Sequence, residues 1–334
     1  MEKLIYGGSP HIRSPKNTKQ IMIEVCIALL PATVMGCVFF GINAILIILT
    51  SIVSSLVSEL VFRLCQRVPF KQILSEFDFT SLVTGLLIGL NMPAMVFTSS
   101  WYIPVIASVF AIVIVKMLFG GTGRNLVNPA IAGRIMVIMS FAKQMNYYPL
   151  PNITSLAGSV DIVSGATPLT VLLNNPAGSQ GIFNMNLSFW DLLLGSGVQG
   201  VIGETCRLAL IIGGIYLVLR GIINFRWPLV YIVVTGLMTV ALKGFNILWF
   251  LPSILSGGLM LGAIFMANDY VTTPNTRIGN YVYFIFLGVI TATLRVVTTI
   301  ETVSFAILLG NLIVPLIDKF IVPKPFGSRK EVAK

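Results

Sequence analysis

Residues 161–167 read Asp161-Ile162-Val163-Ser164-Gly165-Ala166-Thr167. A Thr hydroxyl flanked by Ser, Gly and Ala has little bulk around it. It can enter a transferase's active site and be esterified. The same residue types also make an ordinary Ser/Thr-rich turn, because Gly, Ser and Asp favour turns for local hydrogen-bonding reasons. A second cluster reads Phe119-Gly120-Gly121-Thr122-Gly123-Arg124-Asn125-Leu126-Val127-Asn128-Pro129-Ala130. Gly120 and Gly121 permit a tight turn and close backbone approach to a ligand. Asn125 and Asn128 carry amide donors and acceptors suited to the edge of a planar polar ring. The competing reading is a tight turn with Asn capping a helix that Pro129 opens. The spacing is not a recognised phosphate loop.

Other polar residues fall inside or beside apolar stretches. Glu24 lies in the first, Glu204 and Arg207 lie three apart in the sixth, and Asp78 and Asp269 border Gly-rich segments. Residues three apart on a helix can pair on one face. Charges inside a membrane are costly and are functional candidates by default. Here the competing readings are a structural Glu204–Arg207 pair and helix-end polarity for the two aspartates. The four cysteines, Cys26, Cys37, Cys65 and Cys206, are far apart, and a Cys-only iron–sulfur cluster normally needs four thiolates together. A cluster shared with a partner subunit stays open. His11 is the one histidine, so bis-His haem is excluded. Any redox centre held by this chain alone is expected to be organic.

The elements that position these residues must be membrane helices. Of 334 residues, 56% are hydrophobic and 10% charged. A soluble domain carries about 25% charged residues, so this chain cannot cover a water-exposed surface. Ten apolar spans are expected, near 21–40, 42–62, 79–92, 101–119, 126–142, 198–219, 228–243, 247–266, 280–298 and 302–320. The third is short and Gly-rich, as a half-helix or broken helix would be. No cleavable signal peptide is expected, since the first twenty residues are polar and basic. The net charge of +10 is topological. Most Lys and Arg, Lys116 among them, fall in segments on one side, which puts both termini in the cytoplasm. No nucleic-acid reading survives that placement. The loop of about 143–197, with Thr167, then lies outside, and loops this long are usually functional.

Two halves echo each other. Thr80 to Pro93 contains Gly85-x-x-x-Gly89, and Pro252 to Pro274 contains Gly258-x-x-x-Gly262. Small residues at this spacing let helix backbones approach closely. Each stretch has two longer spans before it and two after. This predicts an all-α polytopic membrane protein of two inverted five-helix repeats with broken Gly-rich helices. The chain divides into a cytoplasmic segment 1–20, a first repeat 21–142, an outer loop 143–197, a second repeat 198–320 and a cytoplasmic tail 321–334. Gly-rich helices are also common in membranes without any repeat.

The Asp-x-x-Ser-Gly-Ala-Thr pattern resembles the signal at which flavin mononucleotide is joined to Thr by a phosphoester bond. Further segments widen that resemblance: Ser9-Pro10-His11, Glu24 to Pro31, Asp78 to Pro93, Lys116 to Arg134, Asp161 to Thr170, Gly203 to Gly214 and Gly257 to Pro274. Together, in order, they resemble the NqrB/RnfD family. Its members are the flavin-bearing membrane subunits of two related respiratory pumps, the Rnf ferredoxin:NAD oxidoreductase and the sodium-pumping NADH:quinone reductase. The short segment before the first span favours the Rnf branch. The resemblance implies FMN on Thr167, attached by a separate flavin transferase that uses FAD, with Asp161, Ser164, Gly165 and Ala166 as the attachment motif. It implies a second, non-covalent flavin, riboflavin, nearer the cytoplasm, with Asn125 and Asn128 and the Gly120-Gly121 turn beside it. Where the family often has an acidic-Gly pair, this chain has Asp161-Ile162, which leaves the Thr in place. Implied partners are membrane lipid and the other Rnf proteins: the ion-pump partners, the flavin-carrying RnfG component, and the ferredoxin- and NAD-side subunits. The implied location is the bacterial inner membrane.

The expected function is electron transfer between the two flavins, coupled to Na+ or H+ translocation. No nicotinamide site and no metal site is legible, so the chain is not expected to catalyse the overall reaction alone. The rivals are a subunit of the sodium-pumping quinone reductase, a cofactor-free inverted-repeat channel, and a structural anchor for redox partners.

Overall fold

The computed structural model describes residues 17–151, 169, 189–195, 197–298 and 302–322. Among them the regular structure is helical, with one isolated bridge between Pro93 and Val201. Helix α1, Thr18–Cys65, has 48 residues. That is about 72 Å of helix, over twice the hydrocarbon thickness of a bilayer. It breaks at Gly41, where φ is 61° and ψ −145°, a conformation that a Cβ would strain. The expected boundary between the first two spans falls at this residue.

The second half of α1 shows what solvent surrounds it. Val53, Val57 and Val61 recur every four residues and are about half exposed, while Ser51, Ser55, Ser58 and Glu59 are buried. Apolar out and polar in is the reverse of a water-soluble surface, and it suits lipid contact.

Helix α2, Thr80–Leu90, has 11 residues, about 16 Å, or half a membrane. A Cβ on Gly85 would stand 2.8 Å from Ile52 Cα, and one on Gly89 2.9 Å from Ile48 Cα. The Gly-x-x-x-Gly face therefore lets α2 press on the backbone of α1. Beyond Asn91 the chain turns irregular and pairs with a second irregular piece: Gly203 N–H donates to Leu90 O at 2.7 Å and Ile202 N–H to Met92 O at 3.1 Å. Helix α3, Tyr102–Met117, ends in π-helical turns from Phe110. Helix α4 is Pro129–Ser140.

The second half holds α5 Arg207–Leu219, α6 Arg226–Leu242, α7 Phe250–Leu255, α8 Leu259–Met266, α9 Arg277–Thr298 and α10 Val303–Phe320, and short helices also occur at Phe70–Ser75, Phe97–Ser100, Ala142–Met145 and Phe189–Leu194. The α7 segment, taken from Ile247, and α8 meet at 70° across a short break, the broken helix that the glycines there predict. Of the described helices, α1, α9 and α10 are each long and apolar enough to cross a membrane, and the bent α7–α8 pair makes a fourth; the others are shorter.

Two expectations need correction. Hydropathy predicts a helix over 198–219, but it begins at Arg207. Residues 198–206 are non-helical, and within them Ile202 and Gly203 donate their N–H groups to Met92 and Leu90 rather than to a preceding turn. Such backbone is tolerated at membrane depth only where protein buries it. The charge pattern predicts Lys116 in a cytoplasmic segment, but it is 3% exposed and forms an ion pair inside the fold.

Candidate functional site

At the end of the bundle where α1 starts and α3 stops, the helices enclose a cavity of about 840 Å³, its open mouth included. Its lining includes the apolar side chains of Met22, Val25, Leu87, Leu217 and Phe265. It also includes the polar side chains of Thr84, Lys116, Thr122, Asn125, Asn128 and Asp269. A concave, mostly apolar lining with a few polar groups suits a small ligand.

The turn after α3 builds part of the polar wall. Gly120, Gly121 and Gly123 have φ of 106°, 89° and 90°, so this turn needs glycine. Gly120 N–H donates to Met117 O and Gly121 N–H to Lys116 O, both at 3.1 Å. The turn thereby brings Thr122 and Gly123 to the cavity, whereas Gly120 and Gly121 shape it from behind.

The two asparagines come together on the cavity wall. Asn128 is the N-cap of α4: its Oδ1 accepts from Ala130 N–H at 3.0 Å, and its Nδ2 donates to Met266 O at 3.1 Å. The cap reading therefore holds, and the residue still lines the cavity. Asn125 Nδ2 donates to Val127 O at 3.0 Å.

Beside them lies a charged group that the sequence did not reveal. Lys116 Nζ is 3.2 Å from Glu59 Oε2 and donates to Ser81 Oγ at 3.0 Å and to Thr80 Oγ1. Ser81 Oγ also donates to Glu59. Glu59 Oε1 faces Arg63 at 2.5 Å, and Arg63 approaches Glu76 at 3.9 Å. Thr80 and Thr122 hydroxyls donate to Asp78, each at 2.6 Å. Burial pushes the Asp78 carboxyl up, but Lys116 and the bonds from Thr122 and Thr80 outweigh it and hold the group below its ordinary value. At Asp269 burial wins over the bonds from Val271, Thr272 and Asn125, and the carboxyl is pushed up. The signal for Glu59 was present in the sequence: Ser51, Ser55 and Ser58 precede it on the same helical face.

The other charged candidates are accounted for within the fold. Glu24 accepts from Tyr216 Oη and Arg220 at the same end of the bundle. Glu204 precedes α5 and faces Arg134 at 3.3 Å, while Arg134 also donates to Asn91 Oδ1 at 2.6 Å. Gly258 leaves the space that Glu204 occupies, since a Cβ there would collide with its carboxylate. Arg207 donates to Leu192 O at 2.7 Å and Thr205 O at 3.2 Å. Arg295 is buried and donates to Ser253 O at 3.0 Å, satisfying carbonyls where α7 stops. Asp161, Ser164, Gly165, Ala166 and Thr167 lie outside the described residues. Among the described residues no three His, Cys, Asp or Glu side chains group as metal ligands would.

The donor set fits a flavin ring. Its pyrimidine edge needs mixed donors and acceptors, which the amides and Thr122 carry, and its benzenoid edge needs an apolar wall. Each asparagine keeps hydrogen-bonding capacity beyond its bonds within the protein.

Comparison with known proteins is decisive for ancestry. A model of the NQR2, RnfD, RnfE family matches residues 5–327. The chain is 37% identical to the D subunit of the Na(+)-translocating ferredoxin:NAD(+) oxidoreductase complex of Acetobacterium woodii, over 98% of this chain and 96% of that protein. It is 34% identical to the D subunit of the proton-translocating ferredoxin:NAD(+) oxidoreductase complex of Clostridium ljungdahlii, over 97% and 96%. It is 31% identical to the D subunit of the ion-translocating oxidoreductase complex of Cronobacter sakazakii, over 97% and 99%.

Proposed function

Because the chain belongs to the NQR2, RnfD, RnfE family, we propose that it is the flavin-bearing membrane subunit of an Rnf-type ion-translocating ferredoxin:NAD oxidoreductase. In this reading it has ten crossings in two inverted repeats, both termini cytoplasmic and Thr167 outside. FMN is esterified to Thr167 by a flavin transferase, and riboflavin occupies the cavity at Asn125 and Asn128. The observation that carries it is the coincidence of one cavity and one motif. The Asn125/Asn128 pair implied by the family resemblance lines a cavity of mixed polar and apolar residues at one end of the fold, and the Asp161–Thr167 motif stands in the loop that the charge pattern assigns to the opposite face.

A bound flavin would supply one- and two-electron carriage. The chain's own residues do the rest. Asn125 and Asn128 orient a ring edge, and Leu87, Leu217 and Phe265 exclude water from its other side. The capped start of α4 fixes Asn128, so the ring's position does not depend on a loose loop. Asp269, its carboxyl pushed up by burial, is the group on this wall best suited to hold a proton. Electrons then pass on to partner subunits of the complex.

The test is the denatured chain on a gel after expression with its flavin transferase. Yellow fluorescence is expected, with an intact mass increased by one FMN phosphoester. Thr167→Ala should abolish both. Fluorescence that persists in Thr167→Ala moves the attachment elsewhere, Thr170 first. A colourless purified chain favours the cofactor-free channel instead.

A further inference from the structure

Lys116 is in an electrostatically awkward place. Its ammonium sits against Thr80 and Ser81, the first two residues of α2, and is 3% exposed. A helix N-terminus already carries partial positive charge, so a cation there is opposed by the dipole. Burial adds a desolvation cost that only good compensation offsets. Compensation is shared: Glu59 pairs with Lys116 at 3.2 Å and with Arg63 at 2.5 Å, and Asp78 is tied up by two threonine hydroxyls. A buried ion pair in such a place is weak evidence of a role in stability alone. Helix α3 leaves α-helical geometry over Phe110–Met117, and Lys116 lies on the cavity wall. Departures into π-helical geometry are rare and are frequent at functional sites.

We infer that Lys116 sets the electrostatic bias of the cavity, so that a redox ligand bound there is favoured in its more negative, reduced form, and that Glu59 tempers this bias from behind. Lys116 lines the cavity and Glu59 does not, so the lysine's field dominates at the ligand. Of the other charged groups nearby, Asp78 and Arg63 belong to the same cluster, and Asp269 stands on the cavity wall from the α8 side. Charge close to a flavin ring is one of the levers by which a protein tunes its potential, and at low dielectric a single charge acts over several ångströms. This rests on the reading that the cavity holds the non-covalent flavin.

The test uses the intact complex in detergent. Non-covalent flavin is released by acid and quantified, and its midpoint potential is found by equilibrium titration with dithionite and mediators. Lys116→Met should lower the potential, with the reduced-to-oxidised ratio at fixed potential falling at least tenfold, about 30 mV for a two-electron couple. Glu59→Gln should raise it. Lys116→Arg should restore it. A merely structural pair would change flavin content or stability but would not move the potential in opposite directions. Should Lys116→Met fail to assemble, the neutral double variant Lys116→Met/Glu59→Gln replaces it and should titrate below Glu59→Gln. Full flavin content with unmoved potentials, or shifts of the same sign in both single variants, overturns the inference and leaves the flavin reading intact. A parent complex with no non-covalent flavin overturns both.

Discussion

Asn128 holds two places at once. Its Oδ1 caps α4, its Nδ2 reaches Met266 O on α8, and its side chain still borders the cavity. Asn128→Ala removes a cap that typically contributes about 1 kcal/mol and strands the Met266 carbonyl, which costs about 1–3 kcal/mol when buried. The purified complex should therefore melt earlier and lose the proposed non-covalent flavin, while the FMN proposed on Thr167 should stay at its parent level. Asn125→Ala, which breaks no helix cap, should deplete flavin with a smaller change in melting. Full occupancy in both variants removes the pair from the site. Asp269 makes a separate prediction. With its carboxyl pushed above 3.8 in the fold, the folded chain holds a proton that the unfolded chain releases. That contribution is complete below 3.8 and is lost as pH rises through the raised value. Asp269→Asn should thus lose less stability than its parent as pH climbs from about 4. Thermal melts across that range check this, and a parent stability that rises with pH relative to the variant contradicts it.

Among the elements, α2 shows how a sequence signal becomes packing. Its glycines were legible as a close-approach face, and they meet α1 at Ile48 and Ile52. A single methyl has no room there. Gly85→Ala should destabilise by about 1–3 kcal/mol through overpacking, whereas Gly200→Ala, whose nearest neighbour would be 3.7 Å away, should be close to silent. Equal melting of the two variants would mean that α2 does not pack as described. The break at Gly41 was equally legible, because the apolar run that became the 48-residue α1 exceeds one crossing. What the sequence concealed has a common cause. Glu59 and Lys116 are 57 positions apart, and hydropathy reads a lysine at the end of an apolar run as a loop charge. Residues 198–206 run into an apolar helix and read as its start, but Ile202 and Gly203 donate their N–H groups to Met92 and Leu90 across the fold. Periodicity reports which face is apolar. It does not report which distant residue completes a polar group.

For the whole molecule, the decisive quantity is which end of the bundle faces the cytoplasm. The structure sharpens the charge argument by removing Lys116, which is paired inside the fold, from the surface count. Arg67, Lys71, Arg124, Arg226, Arg277 and Lys319 remain exposed. Contacts gather the segments that carry them: Lys19 at the start of α1 donates to Ser75 O, Thr122 to Asp78, Glu24 pairs with Arg220 at the close of α5, and Asn275 bonds Asp318 near the close of α10 at 2.8 Å. Lys143 is exposed beyond α4 at the other end. Basic residues flanking membrane helices stay on the cytoplasmic side, so the cavity end should be cytoplasmic and the loop with Thr167 external. That orientation separates the two proposed flavins across the membrane, as electron transfer coupled to ion movement would use. A single Cys replacing Asn152, in a background where Cys26, Cys37, Cys65 and Cys206 are substituted, should react with an impermeant thiol reagent in intact cells. A Cys replacing Ser328 should react only after the membrane is opened. The reverse pattern would invert the molecule, put the esterified Thr beside the cytoplasm, and remove the transmembrane electron route while leaving the helical packing untouched.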